Sequence, residues 1–178
     1  INAADAALDG SANVFTGGTG TSDELKVTAG GNTITTGIAS MTAIEKITTV
    51  GTAGGLTMVL ANANIASGKT LTIDGTSLGA SDVLSVNAAA ETNGTVAINV
   101  SVAVDADHIA TLGAGADSFT GTLGTGVQTV TATGGANTII TGTGVDIIKV
   151  GTGQDTITVN AGTANTINFT LYITVKVR

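Results

Sequence analysis

The chain of 178 residues contains no cysteine, no proline and no tryptophan, one histidine, one tyrosine and three phenylalanines. Without cysteine there is no disulfide and no thiolate metal site, although an extracellular home stays open where another device, such as bound metal, supplies stability. With aromatics at 2%, the core has to be built from Val, Ile, Leu and Ala, the material of a narrow solenoid. Few side chains remain to line a substrate pocket. A catalytic centre needs a nucleophile, a base and stabilisers converging in a cleft, and His108 has no Ser or carboxylate partner beyond its neighbours in sequence; the chain reads as a non-enzyme. No hydrophobic run approaches the length of a membrane span. Basic residues are scarce as well, 6 against 13 acidic ones for a formal net charge of -7, which disfavours nucleic acid and anionic membrane and favours divalent cations. An initiator methionine is missing too: the chain starts at Ile1 and shows no signal peptide, so a processed chain or a piece of a larger one is expected.

Glycine, at 26 residues, and threonine are abundant. β-Branched residues suit a pleated, half-buried surface, and glycine allows the positive-φ turns that must recur every few residues. The clearest pattern is a repeat: LGTGVQTVT at 123–131, GGANTII at 134–140, TGTGVDIIK at 141–149 and VGTGQDTIT at 150–158. Aligned on their polar position, Gln128, Asn137, Asp146 and Asp155 fall nine residues apart, and the apolar residues two further on are Val130, Ile139, Ile148 and Ile157. A fixed period of this kind describes a solenoid, and the nonapeptide GGxGxDxUx is a calcium-binding β-helix repeat.

The spacing carries a geometry. Glycines let the backbone bend and turn carbonyl oxygens inward, Asp supplies a carboxylate, and the apolar residue two positions later enters the core. Nine residues make half a coil, so positions eighteen apart stack at about 4.8 Å: Asp146 on Gln128, and Asp155 on Asn137. Val130, Ile139, Ile148 and Ile157 then point inward, Thr143 and Lys149 outward. A hard cation needs six to eight oxygens, which only two stacked loops can provide. The candidate calcium ligands are Asp23, Asp117, Gln128, Asn137, Asp146 and Asp155. Asp and Asn also bond their own backbone in turns, which is the alternative reading of every one of these positions.

The pattern extends outward from the four copies. LGAGADSFT at 112–120 puts Asp117 and Phe119 in the two slots, Asn165 and Ile167 follow downstream, and GGTGTSDELKV at 17–27 carries Asp23 after a one-residue insertion. One all-β domain over 1–178 is expected, a parallel β-solenoid of the β-roll or β-helix kind: first repeats at 17–37, an irregular, looser β region at 38–111, nonapeptide coils at 112–167 and a long C-terminal strand at 168–178. Within the irregular region 96–105 reads as a strand buried on both faces. Asp105, Asp107 and His108 form an acidic turn at the entry to the coils. In the tail Phe169, Leu171, Ile173, Val175 and Val177 alternate with polar residues. That strand either pairs antiparallel along its own domain and covers its edge, or leaves to complete a sheet in a neighbouring copy.

The stretch GTGVDIIKVGTGQDTITV at 142–159 resembles the RTX family of secreted calcium-binding proteins, and LTIDGTSLGASDVLSVNAAAETNGTVAINV at 71–100 is similar to sequence beside RTX repeats in bacterial surface-layer proteins and very large adhesins. The resemblance implies a parallel β-roll, export by a Gram-negative-type secretion system and an extracellular structural or adhesive role. Few copies here keep both glycines and the Asp. The function expected is that of a subunit or segment of a bacterial surface layer, filament or adhesin stalk at the cell surface, rigidified by calcium, assembling as a homo-oligomer or polymer and meeting cell-surface polysaccharide. The alternative is a binding module, an adhesin or an ice-binding coil in which the Gly-Thr-Gly triplets stack Thr125 on Thr143.

Overall fold

The computed structural model describes residues 2–3, 14–28, 33–34, 36–49, 55–100, 105–162 and 164–170. Its strands, in chain order, are β1 (Asn2–Ala3), β2 (Glu24–Val27), β3 (Thr33–Ile34), β4 (Lys46–Thr49), β5 (Leu56–Val59), β6 (Thr70–Asp74), β7 (Leu84–Asn87) and β8 (Thr95–Asn99). They continue as β9 (His108–Thr111), β10 (Ser118–Thr120), β11 (Gln128–Ala132), β12 (Thr138–Thr141), β13 (Ile147–Val150), β14 (Thr156–Val159) and β15 (Thr166–Phe169). Helix is confined to one turn, α1 (Thr36–Ala39), and a 3₁₀ turn at Asn62–Asn64.

All pairings are parallel and fall into two sheets. One runs β1-β2-β4-β6-β8-β10-β12-β14 and the other β3-β5-β7-β9-β11-β13-β15. Each strand lies beside the strand one full coil away, so the chain winds through about six turns of a β-solenoid. Leu25, Ile47, Ile73, Ile98, Phe119, Ile139 and Ile157 form one inward ladder. Met58, Val86, Ala110, Val130, Ile148 and Ile167 form the facing one. Alternation puts these side chains inside and their neighbours outside: Ile148 is fully buried whereas Lys149 is exposed.

Within 112–167 the eighteen-residue spacing holds for Thr129 on Ile147 and Thr138 on Thr156, whereas Ser118 meets Thr138 at 20 residues and Ile147 meets Thr166 at 19. The region at 38–111 is built from the same coils made longer. Thr72 pairs with Ala97, and Thr57 with Ser85, 25 and 28 residues away, and the added residues lie in the turns. Lengthening a turn costs little, about 0.6 kcal/mol per doubling, so the sheets stay in register while the period drifts.

Two expectations change. β8 alternates, with Val96 and Ile98 buried and their neighbours partly exposed, so it is covered on one face and not on both. β15 pairs parallel with β13, Ile167 on Ile148 and Phe169 on Val150, which rules out antiparallel pairing for Thr166–Phe169. Leu171, Ile173, Val175 and Val177 lie outside the described residues. At the same end Ile157, Val159 and Ile167 are only partly buried, and Phe169 is 73% exposed, because no further coil covers them among the described residues.

Candidate functional site

At the start of each strand, or just before it, one residue points inward, and these residues stack in two files. Along the first sheet the file reads Asp23, Glu45, Leu71, Val96, Asp117, Asn137, Asp155; along the second it reads Leu56, Leu84, His108, Gln128, Asp146, Asn165. The central coils are apolar here. From His108 and Asp117 onward the interior becomes polar.

The polar members bond between coils. Asp117 Oδ1 accepts the Val96 N–H at 2.8 Å, Asn137 Oδ1 accepts the Asp117 N–H at 3.1 Å, and Asp155 Oδ1 accepts the Asn137 N–H at 3.0 Å. In the second file His108 Nδ1 accepts the Leu84 N–H at 3.1 Å, Asp146 Oδ1 the Gln128 N–H at 3.0 Å, and Asn165 Oδ1 the Asp146 N–H at 2.8 Å. A buried N–H must find an acceptor, and the inward side chain of the next coil provides it where the ladder of main-chain bonds begins. At the other end Glu45 Oε2 takes the Asp23 N–H at 2.8 Å, and Asp23 Oδ2 takes the Gly18 N–H at 2.9 Å.

The candidate calcium ligands differ in what they leave free. Asn137 and Asp155 stack as the eighteen-residue spacing requires, but Asn137 Nδ2 donates to Asp155 Oδ1 at 2.9 Å and to the Gly134 carbonyl at 2.8 Å. An amide nitrogen occupies the place among these oxygens that a cation would need, so the pair does not fit calcium. Gln128 also bonds its own turn, donating from Nε2 to the Gly121 carbonyl at 2.9 Å and accepting the Gly142 N–H on Oε1 at 3.3 Å. Asp146, beneath it, keeps Oδ2 fully buried and without a hydrogen-bond partner, as Asp117 does. These two carboxylates fit a cation, because a buried charged oxygen without a partner is costly. Among the described residues no three His, Asp or Glu side chains gather to hold a metal; a bound cation would draw further oxygens from backbone and water.

Burial pushes the Asp117 carboxyl above its ordinary range; backbone N–H bonds from Val96 and Gly113 oppose this, and the charge of Glu91 adds to it. Burial also holds the His108 imidazole below its ordinary 6.5, against the pull of Asp107. The unfolded chain therefore takes up this proton at higher pH than the folded one. The histidine's contribution to stability is complete above 6.5 and is lost as pH falls through the folded value. Replacing His108 by Gln, the residue one coil further along, removes the proton and retains an acceptor. Thermal melts at about pH 7 and about pH 5.5 check this: the wild-type melting temperature falls on acidification and the H108Q value falls less, whereas equal falls would assign the titration to another group.

Three members of this interior were missed in the sequence: Glu91, Glu45 and the inward role of His108 as an acceptor. Glu45 and Glu91 belong to long coils in which no nine-residue signal exists. The acidic turn has a structural task as well, since Asp105 accepts from Thr125 Oγ1 and Asp107 Oδ1 accepts the Val127 N–H at 2.7 Å. The Thr125 hydroxyl lies exposed at the surface and is engaged by Asp105 there. On the outer face of the N-terminal coils Lys46 pairs with Asp74 at 2.7 Å. No protein-family model, curated protein or solved structure matches the chain.

Proposed function

We propose that this chain is a structural, non-catalytic segment of an extracellular bacterial surface assembly, a rod rigidified by calcium and extended by contact with further copies. One observation carries the reading. Among the described residues both sheets end at the same face of the solenoid on strand edges, β14 and β15, with Ile157, Val159, Ile167 and Phe169 incompletely covered there. A parallel strand edge beside apolar surface is a template for another strand, and an interface between identical coils reproduces the packing already present inside. Solenoid coils contact only their neighbours, which makes a stiff, extendable rod. Burial of His108 in the core and its bond to Leu84 support a scaffold over a hydrolase. Secretion, surface-layer membership and contact with polysaccharide belong to the same proposal.

Light scattering and negative-stain microscopy of the purified chain, with and without calcium, test it. The chain forms end-to-end rods in calcium. Phe169→Lys, at a position 73% exposed, leaves the melting temperature within about 2 °C, as expected for a surface site worth less than about 0.5 kcal/mol, while shortening the rods. A chain that is monomeric at all concentrations, or rods indifferent to Phe169→Lys, would count against assembly through this end.

A further inference from the structure

The turn between β7 and β8 and the turn between β9 and β10 are neighbours in the stack, and each delivers one carboxylate to the interior. Glu91 is completely buried and Asp117 is 2% exposed. Glu91 Oε1 accepts the Asn93 N–H at 2.8 Å and the Gly94 N–H at 2.7 Å. Asp117 Oδ1 accepts the Val96 N–H at 2.8 Å, and the Gly113 N–H also bonds this carboxylate. The second oxygen of each, Glu91 Oε2 and Asp117 Oδ2, is buried without a hydrogen-bond partner.

The two turns that carry these groups pack against each other. A Cβ placed on Gly94 would stand 3.3 Å from Glu91 Oε1, one on Gly115 would stand 3.3 Å from Asp117 Oδ1, and Gly115 packs directly against the Gly94 carbonyl oxygen. Gly113 lies against the Glu91 backbone carbonyl and Cβ. The turns are therefore glycine-lined where they touch, and side chains are excluded between them. Backbone N–H donors hold one oxygen of each group and leave the other without a partner. Two ionised carboxylates in a desolvated space repel each other, and among the described residues the charge that reaches Asp117 is that of Glu91, of the same sign. Compensation of two negative charges by oxygen-seeking chemistry calls for a doubly charged, hard cation.

We propose that Glu91 and Asp117 bind one divalent cation of the calcium class between these two turns, where the spacing between stacked strands shortens from 25 residues to 21. The proposal deepens the calcium part of the function proposed above and rests on it, but it assigns the ion to a pair containing a residue outside the nonapeptide pattern. The ligands on the protein are Glu91 Oε2 and Asp117 Oδ2, with backbone carbonyls and water completing the shell. Binding ties one coil to the next where the solenoid changes its period.

Calorimetric titration of the full chain with calcium chloride tests the site. Wild type binds at least one equivalent, and E91Q, which keeps an acceptor oxygen for Asn93 and Gly94, binds one equivalent fewer. In excess chelator E91Q melts higher than wild type, because the uncompensated charge is gone. A second measurement needs no variant: calcium slows hydrogen exchange at the Asn93, Gly94, Val96 and Gly113 amides of wild type by roughly tenfold or more, as stabilisation by mass action requires. Equal stoichiometry in E91Q and wild type overturns the proposal, as does exchange at these amides that ignores calcium. So does a wild-type chain whose stability in chelator falls as pH rises and is unmoved by calcium, since a shared proton would then hold the pair. D146N separates this outcome from failure of calcium binding as a whole: calcium lost in D146N but retained in E91Q places the ion elsewhere, while rod formation reports on assembly independently.

Discussion

Phe119→Ala destabilises the chain by about 3 to 5 kcal/mol, the range for a buried aromatic truncated in a core that cannot collapse. Phe119 is 1% exposed and is the largest fully buried side chain. It stacks between Ile98 and Ile139 within its sheet. In the same coil the facing ladder offers only Ala110, between Val86 and Val130, so one large and one small residue fill the width that two aliphatic residues fill elsewhere. The backbone is held by parallel ladders above and below and cannot move inward to close the gap. Ala110→Val in the same protein fails to rescue Phe119→Ala fully, since the two added methyl carbons do not replace a six-carbon ring. Urea unfolding followed by circular dichroism measures both effects. A loss below about 1.5 kcal/mol, the size of a volume-conserving swap, would mean that this coil adapts and that the core is less tightly specified than the ladders indicate.

Gly135→Val costs about 2 to 5 kcal/mol, from two sources that add. Gly135 has φ of +79°, a left-handed conformation that costs an L-residue about 1 to 2 kcal/mol. Its Cβ would fall on the Gly115 carbonyl oxygen and stand 2.9 Å from the Ala114 carbonyl oxygen, both backbone atoms of the preceding coil. Neither can rotate away, so the coils must separate, at a cost like that of overpacking, about 1 to 3 kcal/mol. Gly153 repeats the arrangement on Gly135 with φ of +125°, and the disturbance propagates up the stack. Gly68 provides the control: its φ is +70°, yet nothing lies within 4 Å of an added Cβ. Gly68→Ala should therefore lose only the conformational part. Equal losses at Gly68 and Gly135 would show that close approach of the coils contributes nothing.

The sequence by itself determined the solenoid over the C-terminal half, because there the chain repeats its chemistry at a fixed interval. Val130, Ile139 and Ile148 are buried in the order that the nine-residue spacing requires, and Asp146 lies under Gln128 as eighteen residues per coil dictates. Composition was enough to make the core aliphatic. What it left undecided follows from the physics of parallel stacking. Strand pairing fixes which residues meet across a coil, but turn length is nearly free, so Thr57 meets Ser85 at 28 residues with no period to announce it. For that reason the stretch at 38–111 read as irregular although it is the same two sheets. The fate of the polar file was likewise tertiary. Whether an inward oxygen is spent or free depends on the donor in the adjacent coil: the Asn137 amide closes on Asp155, whereas one oxygen of Asp117, and one of Glu91 in a turn packed against the next coil, find no donor.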